Sequence, residues 1–191
     1  APPAGAAPEP LPLPADPRAT GGFVDVLVLV TPAARDAIGN MDLVLQRSEL
    51  MVAIANLSRM NSGVTMQLRL VQVTGINYQE RINMNEDLYA ITDSPAADAL
   101  RNQYGADLVT LITKDKGGNY CGLAWVLNGL DNVAWRQKYG YNILNFDCLG
   151  GTIFAHESGH YMGGLHDHAN AGSGGWMPFA YGYQDPQGKF A

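Results

Sequence analysis

Residues 156–167 read H-E-S-G-H-Y-M-G-G-L-H-D, and the organisation of the chain is best worked outward from them. All four histidines of the chain fall between positions 156 and 168, a clustering that packing alone does not explain. Residues four apart share a helix face, so His156 and His160 can direct their imidazoles at one metal ion. Glu157 follows the first of them and stands near the ion without having to bind it. Gly163 accepts a positive φ without steric cost and can end the helix. The chain then doubles back and brings His166 to the same point. Three neutral imidazoles leave the fourth tetrahedral position of Zn2+ open to water, the mark of a catalytic rather than a structural ion. Zinc lowers the pKa of such a water to about 7 and polarises a carbonyl oxygen. Glu157 is placed to take the water's proton as general base and to hand it to a leaving amine as general acid. Asp167 is expected either to cap a turn or to support the ligands from behind. His168 reads as a surface loop residue, with a lesser reading as a competing ligand.

The rest of the chain is that of a folded domain. Its 191 residues suffice for one domain with a sizeable core. Charged residues make up 16% and apolar ones 47%, which argues against disorder. A net charge of −6 argues against a nucleic-acid partner, which calls for a basic patch. No apolar run reaches the roughly 18 residues of a membrane span, so no membrane partner is expected. Residues 1–21 are rich in Pro and Ala and read as an extended tail, a remnant of a pro-segment being one origin. Asp16 would then be a latent-state cap for the metal, against the plainer reading of a solvated linker. Residues 22–191 form the domain.

Gly22–Thr31 is strand-like, and Thr31-Pro32 reads as an N-cap followed by proline at the first helical position. Asp42–Met60 carries Leu43, Leu50, Ile54 and Leu57 at helical spacing and should end near Asn61-Ser62-Gly63. Val64–Thr74 alternates as a strand does. Ser94-Pro95 opens a helix running to about Tyr104 and ended by Gly105, and Asp107–Thr113 is a buried strand. Leu123–Leu127 and Ile143–Asp147 are short strands, and Thr152 is the N-cap expected for the motif helix. This is an α/β layered domain with a mixed sheet. Cys121 and Cys148 belong to no C-x-x-C pair; one disulfide is expected, against two buried free thiols.

The string H-E-x-x-H-x-x-G-x-x-H is the metzincin signature, and Asp167 after the third histidine resembles the reprolysin branch. Further segments are similar to bacterial reprolysin-like zinc peptidases, and among them to the peptidyl-Asp metallopeptidase group. They are Val24–Arg35 (V-D-V-L-V-L-V-T-P-A-A-R), Asn56–Val73, Arg101–Leu111 (R-N-Q-Y-G-A-D-L-V-T-L), Cys121-Gly122, Thr152–Asp167 and Pro178–Tyr183 (P-F-A-Y-G-Y). The resemblance implies a metzincin-type α+β catalytic domain: a mixed twisted sheet and long helices, one carrying the zinc motif. It implies a secreted, monomeric zinc endopeptidase of bacterial type, with one catalytic Zn2+ and a protein or peptide as partner. In that fold an edge strand beside the cleft pairs with extended substrate, and Leu123, Ala124 and Trp125 are the residues proposed for it.

The resemblance departs after His166. A methionine turn is expected beneath the zinc. Met177 is one reading of it; the preferred reading is that the chain stops at Ala191 just before that turn, as a truncated domain. The pro-segment or a C-terminal part would then be a further partner. Tyr181 and Tyr183 read as packing residues rather than catalytic ones. Lys189 is the only Lys or Arg after the motif that could form a cationic wall for an acidic side chain. Two alternatives stay open: a catalytically incomplete zinc-containing fragment or binding protein derived from such a protease, and a zinc hydrolase of small amides. Calcium sites, cleavage specificity and the latency mechanism are not legible.

Overall fold

Strand β1 (Phe23–Val30) is covered on both faces, as its nearly unbroken apolar run requires. Val26, Val28 and Val30 meet one layer of helices, Leu27 and Leu29 the other. It lies within a sheet of order β2 (Gln67–Gly75), β1, β3 (Leu108–Thr113), β5 (Tyr141–Asn145) and β4 (Gly122–Ala124). The first four run parallel and β4 pairs antiparallel with β5, which makes the sheet mixed, as expected. This computed structural model describes residues 22–114, 120–127, 137–172, 175, 177–183, 185 and 187. The N-terminal tail with Asp16, and Lys189, lie outside the described residues.

Helices α1 (Pro32–Ile38), α2 (Met41–Asn61) and α5 (Ile153–Tyr161) contribute to the core on one face of the sheet. Helices α3 (Met84–Thr92) and α4 (Pro95–Tyr104) cover the other. The expected caps form. Thr31 Oγ1 accepts from Ala34 N at 3.1 Å with Pro32 behind it, and Ser94 Oγ accepts from Ala97 N at 3.3 Å. Helix α3 has no counterpart in the sequence reading. Its signal was there as an N-cap: Asn83 Oδ1 accepts from Glu86 N at 3.0 Å, and Asn83 Nδ2 donates to Glu86 Oε1 at 3.2 Å.

Three strands differ in extent from expectation. The second begins at Gln67 rather than Val64, because Val64 N still closes the end of α2 on Arg59 O at 2.9 Å. The fifth runs 141–145 rather than 143–147. Asn145 Oδ1 accepts from Asp147 N at 3.1 Å and turns the chain into a 3-10 turn at Phe146–Cys148. The strand expected over 123–127 is limited to Gly122–Ala124. Beyond it Trp125 leaves the sheet, sits edge-on between Tyr89 and Tyr139, and donates Nε1 to Thr92 Oγ1 at 2.9 Å.

On α2 the regular leucine spacing marks the helix but not its buried side. Val44, Ser48, Met51, Val52 and Ala55 face the sheet, whereas Leu50 and Leu57 are 51% and 57% exposed. Among the described residues no helix is long and apolar enough to cross a membrane.

Candidate metal centre

The motif helix α5 is seated by its apolar face. Phe154 and Ser158 are fully buried, which turns His156 and His160 outward into a cleft beside β4. Thr152 holds the N-cap position but its side chain makes no capping hydrogen bond. The far end is a Schellman turn. Gly163 N donates to His160 O at 2.9 Å and Gly164 N to Gly159 O at 2.8 Å. Gly163 has φ +94°, a conformation that a side chain would oppose. The turn leads directly into β6 (Leu165–Asp167), which pairs with β7 (Tyr181–Gly182) and brings His166 back over the helix.

The three imidazoles converge. Nε2 of His156 lies 3.1 Å from Nε2 of His160 and 3.2 Å from that of His166; the third distance is 3.2 Å. Three nitrogens at 2.0–2.1 Å from one tetrahedral ion would stand roughly 3.3 Å apart, so the set fits a zinc-sized cation. The ring protons fit as well. His160 Nδ1 lies 2.7 Å from Gly164 O, which assigns the proton to Nδ1 and leaves the Nε2 lone pair for a metal. Burial, reinforced by the neighbouring imidazoles, lowers the His156 pKa to about 4; burial also lowers that of His160. Both shifts favour the neutral ring that a metal requires.

Glu157 is 4% exposed and lines the same cleft. Burial alone pushes its pKa up to about 7, within the range of a working general base and acid. The cleft, of about 390 Å³, is walled by Tyr120, Gly122, Leu123, Ala124, Val126 and Ile153 beside the histidines. Leu123 and Ala124 are therefore where the sequence placed them, on the edge strand at the cleft; Trp125 is not. Cys121 and Cys148 form the expected disulfide, and Asn145 N donates to Cys121 O at 2.9 Å, so the start of β4 is held twice. Three residues past its end, Leu127 N donates to His160 O at 3.1 Å.

Other singled-out residues stand apart from the metal site. Asp167 caps the turn after β6, accepting from Ala169 N at 3.0 Å and Asn170 Nδ2 at 2.8 Å. That is the turn-cap reading of the two expected for it, with Ala169 and Asn170 as its partners among the described residues. His168 is exposed and stacks on Tyr181 at 3.8 Å, outside the triad. Tyr181 is a packing residue, its OH accepting from Gly175 N at 2.8 Å. Tyr183 is exposed. Met177 lies half-buried in a turn closed by Ala180 N on its carbonyl at 3.1 Å, and it does not line the cleft. Sequence reasoning missed the part Gly122 plays as a wall of the cleft, although C-G-L-A runs into the edge strand.

Residues 45–167 match the family described as Metallo-peptidase family M12B Reprolysin-like. A Pseudomonas aeruginosa protein named peptidyl-Asp metalloendopeptidase is 32% identical over 154 residues, covering 76% of this chain and 25% of that protein. Its namesake from Xanthomonas campestris is 34% identical over 167 residues, covering 84% and 37%. The chain thus spans between a quarter and two-fifths of the length of the curated relatives it matches. A solved structure described as a chaperone-substrate complex shares the fold, with a TM-score of 0.67 and 22% identity over 87% of this chain and 29% of that one. Fold, histidine triad and family match agree: the chain belongs to the reprolysin-like M12B metallopeptidases.

Proposed function

We propose that this domain is a secreted zinc endopeptidase in which Glu157 moves the proton. One observation carries the reading: three imidazole Nε2 atoms converge at 3.1–3.2 Å with a buried carboxyl group on the same cleft wall. His156, His160 and His166 would hold the ion, which when bound would acidify a water and polarise the scissile carbonyl. Glu157 takes the proton of the attacking water and delivers it to the nitrogen of the leaving amine. Its burial suits both halves of that cycle, because a carboxyl group with a pKa of about 7 both accepts and releases a proton near neutrality. Strand β4 has β5 on one side only among the described residues, so its free edge can pair with an extended peptide. Leu123 and Ala124 line the cleft at that edge. Monomeric action and Zn2+ as the resident ion belong to the same proposal.

The relatives' name supports aspartate as the residue recognised in the substrate. Among the described residues no Lys or Arg lines the cleft, so that preference would draw on residues elsewhere in the chain or in the longer protein. The test is Glu157→Gln. The variant should bind one zinc per chain and lose hydrolysis of an unfolded protein substrate by a factor of at least about 100, the low end of general-base contributions. Full activity in that variant would refute the mechanism. Activity that survives a strong chelator would refute the metal.

A further inference from the structure

The catalytic carboxyl group has an unusual seat. Among the described residues no hydrogen bond reaches it, and its raised pKa has burial as its sole cause. It is held instead by contact. A Cβ built on Gly122 would stand 2.7 Å from Glu157 Cγ, 2.8 Å from Oε1 and 3.0 Å from Cδ. Carbon atoms pack at about 3.5–4.0 Å, so the bare Cα of Gly122 leaves no room for a methyl group. The backbone is not the reason for the glycine, because Gly122 is not among the residues with positive φ. Nor can the seat retreat easily. Gly122 is in register with Leu144 on β5, follows a cysteine of the disulfide, and that cysteine's carbonyl accepts from Asn145 N at 2.9 Å.

We infer that Gly122 is a positioning residue for Glu157: its lack of a side chain sets how far the carboxyl group stands back from the metal ligands. The inference rests on the zinc-peptidase reading, but its steric core does not need the metal. The strand that is free to take substrate along its edge then has a second duty through its first residue. It serves as the backstop of the general base.

The experiment is Gly122→Ala, alone and combined with Glu157→Ala, which removes Cγ and every atom beyond it. In Gly122→Ala the carboxyl group must move by about 0.7 Å or more to restore ordinary contact. A displacement approaching 1 Å at a reacting group costs on the order of 100-fold, so kcat should fall roughly 10- to 100-fold. KM should stay within about twofold, and one zinc per chain should remain bound. In the Glu157→Ala background the same change should leave the urea midpoint unmoved, because the clashing atoms have gone. An equal fall of the urea midpoint in both backgrounds, or kcat within about twofold of the parent in the single variant, would overturn the inference. If Gly122→Ala fails to fold but the double variant folds, the steric conflict is upheld; failure of both overturns it. A crystal structure of metal-free Gly122→Ala supplies a readout independent of turnover. A shifted Glu157 carboxyl group supports the inference and an unmoved one refutes it, even if the parent protein proves to hydrolyse no peptide.

Discussion

Replacing both Cys121 and Cys148 with alanine should cost this domain about 3.5 kcal/mol of stability while sparing much of the metal site. The two residues are 27 positions apart. In the chain-entropy account, a cross-link closing a loop of that size removes about 12 cal/mol/K from the unfolded chain, or about 3.5 kcal/mol at 25 °C. Small domains have roughly 5–15 kcal/mol in all, so the variant should fold but with a much reduced margin. The fit of the site should suffer less. The start of β4 keeps its bond to Asn145 N, the chain past its end keeps that from Leu127 N to His160 O, and the ladder to β5 is unaffected. Urea unfolding at equilibrium checks the figure. It should be run on metal-free protein, because a bound ion stabilises by its own affinity and would mask the change. The midpoint should fall, and the slope should rise as the unfolded chain expands. Zinc affinity at low temperature, measured by chelator competition, should change by less than about tenfold. A stability loss below about 1 kcal/mol would refute the reasoning, since the unfolded chain would then gain little freedom from losing the link. Loss of metal binding at low temperature in a folded variant would show that the bond shapes the site directly.

Other perturbations separate the remaining claims. Gly163→Ala forces a side chain into φ +94° and should cost about 1–2 kcal/mol. By shifting Gly164 O away from His160 Nδ1 it should also weaken zinc binding roughly tenfold; unchanged affinity by chelator competition would show that the turn does not set the ligand. Met51→Ala should destabilise by about 2–5 kcal/mol in urea, whereas Leu50→Ala should stay within about 0.5 kcal/mol; comparable losses would contradict the assignment of the buried face of α2. Protons compete with the metal only when the imidazoles titrate, and a lowered pKa delays that competition. Zinc should therefore stay bound at pH 6 and be released as pH falls towards 4. In metal-free protein the unfolded chain binds more protons at His156 and His160 over that window, whereas the folded chain binds more at Glu157, so the contributions oppose and stability should fall only weakly as pH drops from about 6.5 towards 4.5. Zinc release with a midpoint near 6.5, followed by a metallochromic indicator, would contradict the assignment.

Much of this was legible in the residues because it depends on local rules. The caps at Thr31 and Ser94, the glycine stops at Gly105 and Gly163 and the apolar run of β1 are each fixed within a few positions. The histidine spacing works for the same reason: a helical turn and one Schellman turn carry His156, His160 and His166 to one point. What escaped depends on contacts between distant segments. Trp125 looked like strand, but an aromatic pair from elsewhere in the chain and Thr92 supplied a better environment than the ladder. The leucines of α2 marked the period of the helix, yet the sheet took the face of Val44, Ser48, Met51, Val52 and Ala55, which packs on β2. Helix α3 differs, since its Asn83 N-cap was local and visible. Gly122 gave no sign of its role because its meaning lies in a carboxylate 35 positions away.

The three ligands are not held alike, and the difference follows from the order of the chain. His156 and His160 ride one helix whose buried face is Phe154 and Ser158, so they move with the core. His160 is tied further at its ring by Gly164 O and at its carbonyl by Gly163 N and Leu127 N. His166 has no such helix. Its strand is three residues long and is held by Leu165 N on Ala180 O at 2.8 Å and by pairing with β7. Strand β7 in turn leans on Tyr181, stacked on His168 and bonded to Gly175 N. The third ligand therefore depends on the segment that follows the motif, whereas the first two depend on what precedes it. The carboxyl group of Glu157, proposed as general base, belongs with the first two, in close approach to Gly122 on β4. Two histidines of the triad and the Glu157 carboxyl group thus form a preorganised half-site on the main sheet, and the third histidine rests on Gly175 and residues 177–182. Structural change in that stretch can alter metal affinity without disturbing the sheet or its core.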